Sequence, residues 1–346
     1  MSIASRKSEH INICLNEEVQ FKTKTTGFEE YDFIHCALPE MSLEDVDTEI
    51  ELFGKKLSFP FFIGAVTGGW QGAEKINKSL ALASKNEDIG LEVGSQRSII
   101  EDNTYIDSYK IVRKTAPHSL IIGNIGAFQI VKYQNLDIFK RLVDVIQADA
   151  LTVHLNPLQE ILQTDEENNF KGVLAGVERL VRSLEVPVII KEVGCGISTQ
   201  VARQLADAGV QYINIAGAGG TSWAGVESFR NRSNLAEKFW DWGIPTAKSI
   251  IMVKKVKGIK IIASGGLIDG IDMAKALALG SECCSSALPV LKILDQEGQE
   301  GLVNSIRQWK EELTLAMLLT GSSNINEIKS KKVLMNNSKN CSGKSN

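Results

Sequence analysis

The chain has 346 residues, 43% of them apolar and 23% charged, with 38 Lys+Arg against 42 Asp+Glu and a net charge of −4. That is the composition of a globular protein with a large core. The slight acidity and the lack of a Lys/Arg block argue against nucleic acid as a partner, and no apolar run reaches the roughly 18 residues that cross a bilayer.

The N-terminus, MSIASRKSEHINICLNEE, turns polar too early for a secretory signal, so a cytoplasmic location is expected. Residues 1–60 read as an N-terminal arm and a barrel-bottom hairpin. Within the arm, Arg6, Lys7 and His10 place three potential cations in five residues. Alone they read as a solvated terminus; beside Arg97 they offer bidentate and point-charge contacts for a diphosphate. The following FGKKLSFPFF resembles the short hairpin that plugs the bottom of a barrel.

From residue 61 to 330 eight short runs, nearly continuous in Ile, Val, Leu, Ala or Gly, alternate with helical patterns. They are FFIGAV (61–66), IGLEVG (89–94), LIIGNIG (120–126), DALTVHL (149–155), PVIIKEV (187–193), YINIAG (212–217), KIIASGG (260–266) and ECCSSAL (282–288). Such runs suit strands covered on both faces. The intervening stretches, such as AEKINKSLALASKNED and STQVARQLADA, carry apolar residues at helical spacing. Eight strand-helix units with right-handed crossovers predict a single (β/α)8 TIM barrel, ahead of an open doubly wound sheet. The last stretch, KKVLMNNSKNCSGKSN (331–346), reads as a disordered tail. Six scattered cysteines without a C-x-x-C pair read as free thiols rather than disulfides or zinc ligands.

In a barrel, working groups lie at the carboxyl ends of the strands. Taken in chain order, those positions carry Thr67-Gly68-Gly69, Gly94-Ser95-Gln96-Arg97, Asn124, His154 to Glu160, Lys191-Glu192, Gly217 to Ser222, and Ser264-Gly265-Gly266. The two glycine-rich stretches bring bare backbone N–H groups and hydroxyls together, as a phosphate requires. They do not fit the dinucleotide fingerprint, which opens a first strand-helix turn with an acid about 20 residues on. A phosphate site here, small polar rim residues and an inward Lys191 suit flavin mononucleotide, the lysine stabilising the anionic reduced ring. A Schiff-base lysine is the alternative from the residues alone. On the fourth strand His154 and Asn156 project to one side, and Pro157 turns the chain so that Gln159 and Glu160 return over the mouth. Imidazole and amide suit an anionic substrate, and the carboxylate suits Mg²⁺ with phosphate.

These residues, as RKSEHI (6–11), TGG (67–69), GSQR (94–97), GNIGA (123–127), HLNPLQE (154–160), KEVGCGIS (191–198), GAGGTSW (217–223), ASGG (263–266) and LLTG (318–321), resemble the type 2 isopentenyl diphosphate isomerases. The resemblance covers about residues 5–330 in order. It implies an FMN-dependent barrel that interconverts isopentenyl and dimethylallyl diphosphate. Mg²⁺ binds the diphosphate, NADPH reduces the flavin, and the chain assembles into a homo-oligomer, a tetramer or larger. By the same resemblance Thr67, Ser95, Asn124, Lys191, Thr221, Gly265, Gly266 and Ala287 hold FMN. Arg6, Lys7, His10, Arg97, His154, Asn156 and Gln159 bind the isoprenoid diphosphate, and Glu160 ligates the metal. The alkene is too weakly basic for ordinary side chains, so reduced flavin is expected to act as acid and base, with Gln159 as the catalytic side chain that positions substrate or relays protons. Three positions depart from the pattern: Val66 where Met is common, Asn214 where the sixth strand commonly carries Asp, and Ile268 where an Arg often follows SGG. A flavin-dependent 2-hydroxy-acid oxidase shares barrel and cofactor but calls for a His with a nearby Arg after the sixth strand, where this chain has GAGGTSW. A non-catalytic flavin-binding paralogue is the other alternative.

Overall fold

The computed structural model describes residues 3–163 and 169–336. Eight parallel strands form its centre: β1 (Phe61–Ile63), β2 (Gly90–Glu92), β3 (Ile121–Gly126), β4 (Ala150–His154), β5 (Val188–Lys191), β6 (Tyr212–Asn214), β7 (Lys260–Ala263) and β8 (Cys283–Ser286). Each pairs with the next, and β8 returns to β1 through Ser285 opposite Phe62, closing a TIM barrel. The strands are shorter than the apolar runs that announce them. In FFIGAV, for example, Gly64 to Val66 already belong to the crown rather than the ladder.

Helices between the strands bury the faces their spacing foretells. Helix Thr199–Asp207 is capped by the Ser198 hydroxyl accepting from the Val201 N–H at 3.3 Å, and it buries Ala202 and Leu205. Helix Gly270–Leu279 starts from Asp269, whose carboxylate accepts from the Asp272 N–H at 2.7 Å. At the amino end of the barrel a hairpin pairs Ile50–Leu52 with Lys55–Leu57. Its Leu52 and Leu57 join Phe62, Leu120, Ile122, Ala150, Ile189, Ile262 and Cys283 in one buried cluster, which fills the end opposite the crown.

The tail expected to be disordered from residue 331 is ordered at its start. Leu334–Asn336 pairs antiparallel with Tyr31–Phe33, next to the buried Val333. The rest of the expected tail, 337–346, lies outside the described residues. Cys14, Cys36, Cys195, Cys283 and Cys284 are free thiols; Cys341 lies outside the described residues. Among the described residues no helix is long and apolar enough to cross a membrane.

The first helix, Ile3–Asn16, lies across the crown. Cys14 and Val19 pack with Val226, Trp223 and Leu288, and the chain then crosses the loop after β6, with Ser222 N–H donating to Val19 O at 2.8 Å and Phe21 N–H to Gly220 O at 3.1 Å.

Candidate active site

The carboxyl ends of the strands and the N-terminal helix enclose a cavity of about 760 Å³, within the roughly 300–1,000 Å³ of small-molecule and cofactor sites. The sixteen residues singled out from sequence come from separate segments of the chain, and every one of them lines this cavity. None is left elsewhere on the surface.

At one end the backbone itself forms the wall. A Cβ on Gly265 would land on the Gly217 carbonyl and one on Gly220 on the Gly266 backbone, so only glycine allows the β6 and β7 loops to approach so closely. Gly265 and Gly266 also hold φ of +98° and +79°, a region costly for other residues. Thr221, Ala287 and Ile268 complete this end. The result is a cradle walled by glycine backbone, of the kind that admits a phosphate.

Further in, the ladder sets His154, Lys191 and Asn214 side by side on β4, β5 and β6. His154 Nδ1 lies 2.7 Å from Asn124 Oδ1, while Asn124 Nδ2 donates to Glu92 Oε1 at 2.7 Å. Because the amide nitrogen of Asn124 is spent on Glu92, its oxygen faces the imidazole, and Nδ1 carries the proton. Burial, with the Lys191 and Lys7 charges nearby, lowers the His154 pKa to about 3, which favours the neutral ring. Glu92 is 1% exposed; burial raises its pKa against the opposing pull of Lys191. Lys191 Nζ donates to Glu192 O at 2.9 Å. Asn214, the uncharged residue on β6, accepts from the Ser264 hydroxyl at 2.6 Å.

At the mouth, β4 ends and Pro157 opens a short helix, Pro157–Leu162, where its missing N–H costs nothing. Asn156 Nδ2 donates to Gln159 Oε1 at 3.0 Å and to Glu160 Oε1 at 2.8 Å. Gln159 therefore turns its amide oxygen toward Asn156 and keeps its Nε2 group as the donor for a ligand. Opposite, the N-terminal helix delivers its cations. Arg6 donates to Gln163 Oε1 at 3.1 Å; Arg97, from the short helix Arg97–Glu101 after β2, pairs with Glu101 at 2.8 Å. Lys7 Nζ donates to Gly68 O and Ser95 O, both at 2.6 Å, and to the Tyr109 hydroxyl at 2.9 Å. Burial, then the charges of Arg6 and Arg97, lowers the Lys7 pKa to about 7. His10 does not stand free in solvent: its Nε2 lies 3.0 Å from Glu227 Oε1, and its ring meets the Trp223 edge with centroids 5.2 Å apart.

Four residues of this network escape a reading by rim position. Glu92 sits inside an apolar run, Tyr109 and Glu227 are on outer helices, and Gln163 follows the helix at the mouth. A charged residue within an otherwise apolar barrel strand is a signal for Glu92; the other three carry none, since their partners are distant in sequence.

Residues 2–153 and 147–335 match the family described as FMN-dependent dehydrogenase. The isopentenyl-diphosphate delta-isomerase of Archaeoglobus fulgidus is 43% identical over 339 residues, covering 97% of this chain and 96% of that protein. The chain belongs to the isopentenyl-diphosphate delta-isomerase family. The protein of that name from Methanothermobacter thermautotrophicus is 41% identical over 334 residues, with 96% and 93% covered. Among solved structures, a flavocytochrome b2 with sulfite bound superposes with a TM-score of 0.71 at 16% identity, over 97% of this chain and 85% of that one. A mandelate oxidase with a monooxide FMN adduct gives 0.64 at 18%, over 92% and 93%. Those two likenesses speak to the barrel alone. Asn214 is held by its hydrogen bond to Ser264, and Ile268 stands 57% exposed at the cradle.

Proposed function

We propose that this protein isomerises isopentenyl diphosphate to dimethylallyl diphosphate at the crown cavity, with FMN as resident cofactor and Mg²⁺ assisting diphosphate binding. The observation that carries the proposal is the union, in one enclosed space, of a backbone phosphate cradle, an inward lysine and a cationic mouth. Isomerase relatives matched over nearly the whole chain at 43% identity support the same conclusion.

The residues present fit FMN. The glycine cradle of Gly265 and Gly266, with Thr221 and Ala287, suits its phosphate. Thr67, Ser95 and Asn124 suit the polar edge of its ring, and Lys191 the pyrimidine end. When bound and reduced, the flavin supplies an N–H acid, a basic ring atom and an electron-rich face; NADPH is the proposed reductant. Glu160, its carboxylate steadied by Asn156, would hold Mg²⁺, which commonly takes one or two carboxylates together with substrate phosphate oxygens.

The work of the side chains follows from their charges and hydrogen bonds. Arg6, Arg97 and Lys7 gather positive charge where the diphosphate would enter, so the anion serves as the handle that fixes a small apolar tail. His154 has its Nδ1 proton committed to Asn124, and it engages an anion through Nε2 only as imidazolium; binding there takes up a proton. Asn156 holds Gln159 so that its amide hydrogens point to the ligand, positioning the double bond or passing a proton at its carbon. His10, gripped by Glu227, keeps the helix over the mouth, excluding water from any cationic species.

The oxidase alternative requires a His and Arg in the loop after β6, but Gly217 to Trp223 contains neither. The deciding experiment is anaerobic incubation of FMN-loaded protein with isopentenyl diphosphate, Mg²⁺ and NADPH. Formation of dimethylallyl diphosphate with only catalytic use of hydride supports the proposal; no such product, with the oxidised flavin instead bleached anaerobically by a 2-hydroxy acid, points to an oxidase, and neither outcome to a binding protein. Assembly into a homo-oligomer and residence in the cytoplasm complete the proposal, tested by light scattering and by cell fractionation.

A further inference from the structure

Tyr109 lies fully buried on helix Asp107–Thr115, outside the ring of strand ends from which the site is built. Its hydroxyl is nevertheless a junction of three segments. The oxygen lies 2.5 Å from Ser95 O, 2.9 Å from Lys7 Nζ and 3.0 Å from Ser98 Oγ. A phenol has one proton, and the Ser95 carbonyl can only accept, so that proton goes to Ser95. The phenol oxygen then accepts from Lys7 and from Ser98. The room for this is built in. A Cβ on Gly68 would strike the tyrosine ring, and one on Gly69 would come within 2.8 Å of the hydroxyl. The glycine pair of the Thr67-Gly68-Gly69 turn is thus shaped around Tyr109, and the Gly68 carbonyl is itself one of the acceptors of Lys7.

An ammonium group has three donors, and Lys7 has three acceptors: Gly68 O, Ser95 O and the Tyr109 hydroxyl. The two carbonyls are fixed by the barrel crown, while the hydroxyl is supplied from a helix 102 residues along the chain. Without it one N–H would face the phenyl ring of a buried site, and an enclosed cation with an unmet donor is expelled or neutralised.

We propose that Tyr109 is a positioning residue for the diphosphate end of the site: its hydroxyl seats the Lys7 ammonium between the first two strand-end loops and so locks the N-terminal helix over the mouth. The inference rests on the diphosphate reading of Lys7 given above. Lys7 in this seat contributes its charge and closes the helix, with its three hydrogens engaged by protein acceptors.

Tyr109→Phe removes the hydroxyl alone and keeps the ring that fills the core. In FMN-loaded protein, KM for isopentenyl diphosphate is expected to rise at least about tenfold, the scale of a lost hydrogen bond to a charged group, with kcat changed less than about threefold. Amide exchange across Ile3–Asn16 is expected to quicken by a similar factor. Lys7→Met should raise KM at least as much, and the double variant Lys7→Met/Tyr109→Phe should be no worse than Lys7→Met, because both act through one contact. The proposal is overturned if Tyr109→Phe leaves KM within twofold while Lys7→Met raises it, or if Tyr109→Phe loses kcat and FMN together, the mark of a merely structural residue. If Lys7→Met itself leaves KM unchanged, the diphosphate reading of the arm fails and takes this inference with it.

Discussion

Glu227→Gln removes one charge from the joint that ties the N-terminal helix to the barrel. Three donors converge on the carboxylate: His10 Nε2 at 3.0 Å, Arg230 Nε at 2.7 Å and Asn231 Nδ2 at 3.2 Å. The Glu227 side chain is fully buried and that of Arg230 is 6% exposed. A glutamine has one oxygen in place of two and turns an NH2 group toward at least one of these donors. Breaking a buried pair by removing one partner costs about 3–5 kcal/mol, and we take the lower end because Arg230 can reach some solvent. At roughly 2 °C per kcal/mol for a chain of this size, the melting temperature falls by about 6 °C. Burial by itself would raise the Glu227 pKa, but His10 and Arg230 outweigh it and hold the group below its ordinary 4.5. A depressed carboxylate stabilises the fold above the unfolded-state value and loses that contribution as the pH falls through the folded one. The gap between wild type and variant should therefore be constant at neutral pH and shrink below pH 4.5. Thermal unfolding followed by circular dichroism across pH 3 to 8 tests both. A loss under 1 °C at pH 7, or a gap that widens in acid, would refute the assigned network.

Other outcomes follow from the same geometry. Gln159→Asn withdraws the amide by one methylene and should lower kcat by roughly a hundredfold with FMN content unchanged, since small misplacements cost that much; loss of FMN with normal turnover per flavin would contradict the role of Gln159. Gly265→Ala puts a methyl on the Gly217 carbonyl at φ +98°, and flavin titration should show FMN affinity reduced by roughly tenfold or more; equal affinity would remove the cradle from the account. Lys191→Met deletes the cation next to the proposed pyrimidine edge, and spectroelectrochemistry should find the flavin midpoint potential lowered by at least about 30 mV, a tenfold change for a two-electron couple. An unchanged or raised potential would place the flavin elsewhere.

Most of the barrel is written in the chain because strands buried on both faces must be apolar throughout, as Ile121–Gly126 and Val188–Lys191 are along most of their lengths. The rim is legible for a related reason: where an apolar run stops at a polar group, as at His154 or Lys191, the strand has reached the crown. What the pattern hides is whatever one distant segment does for another. Tyr109 reads as one more apolar residue of a helix, and nothing near it in sequence says that its hydroxyl meets Lys7. Glu227 reads as a surface acid until the first helix covers it. The pairing of Leu334–Asn336 with Tyr31–Phe33 joins two short, weakly patterned segments some 300 residues apart, as the registered pairs show, and no local signal marks it.

The most direct test of the central claim is a product analysis under exclusion of oxygen. FMN-loaded protein supplied with isopentenyl diphosphate, Mg²⁺ and a trace of NADPH should form dimethylallyl diphosphate in large excess over NADPH oxidised, approaching the equilibrium mixture. Product limited to the amount of NADPH consumed, or no dimethylallyl diphosphate from protein shown by its absorbance to carry flavin, would contradict it.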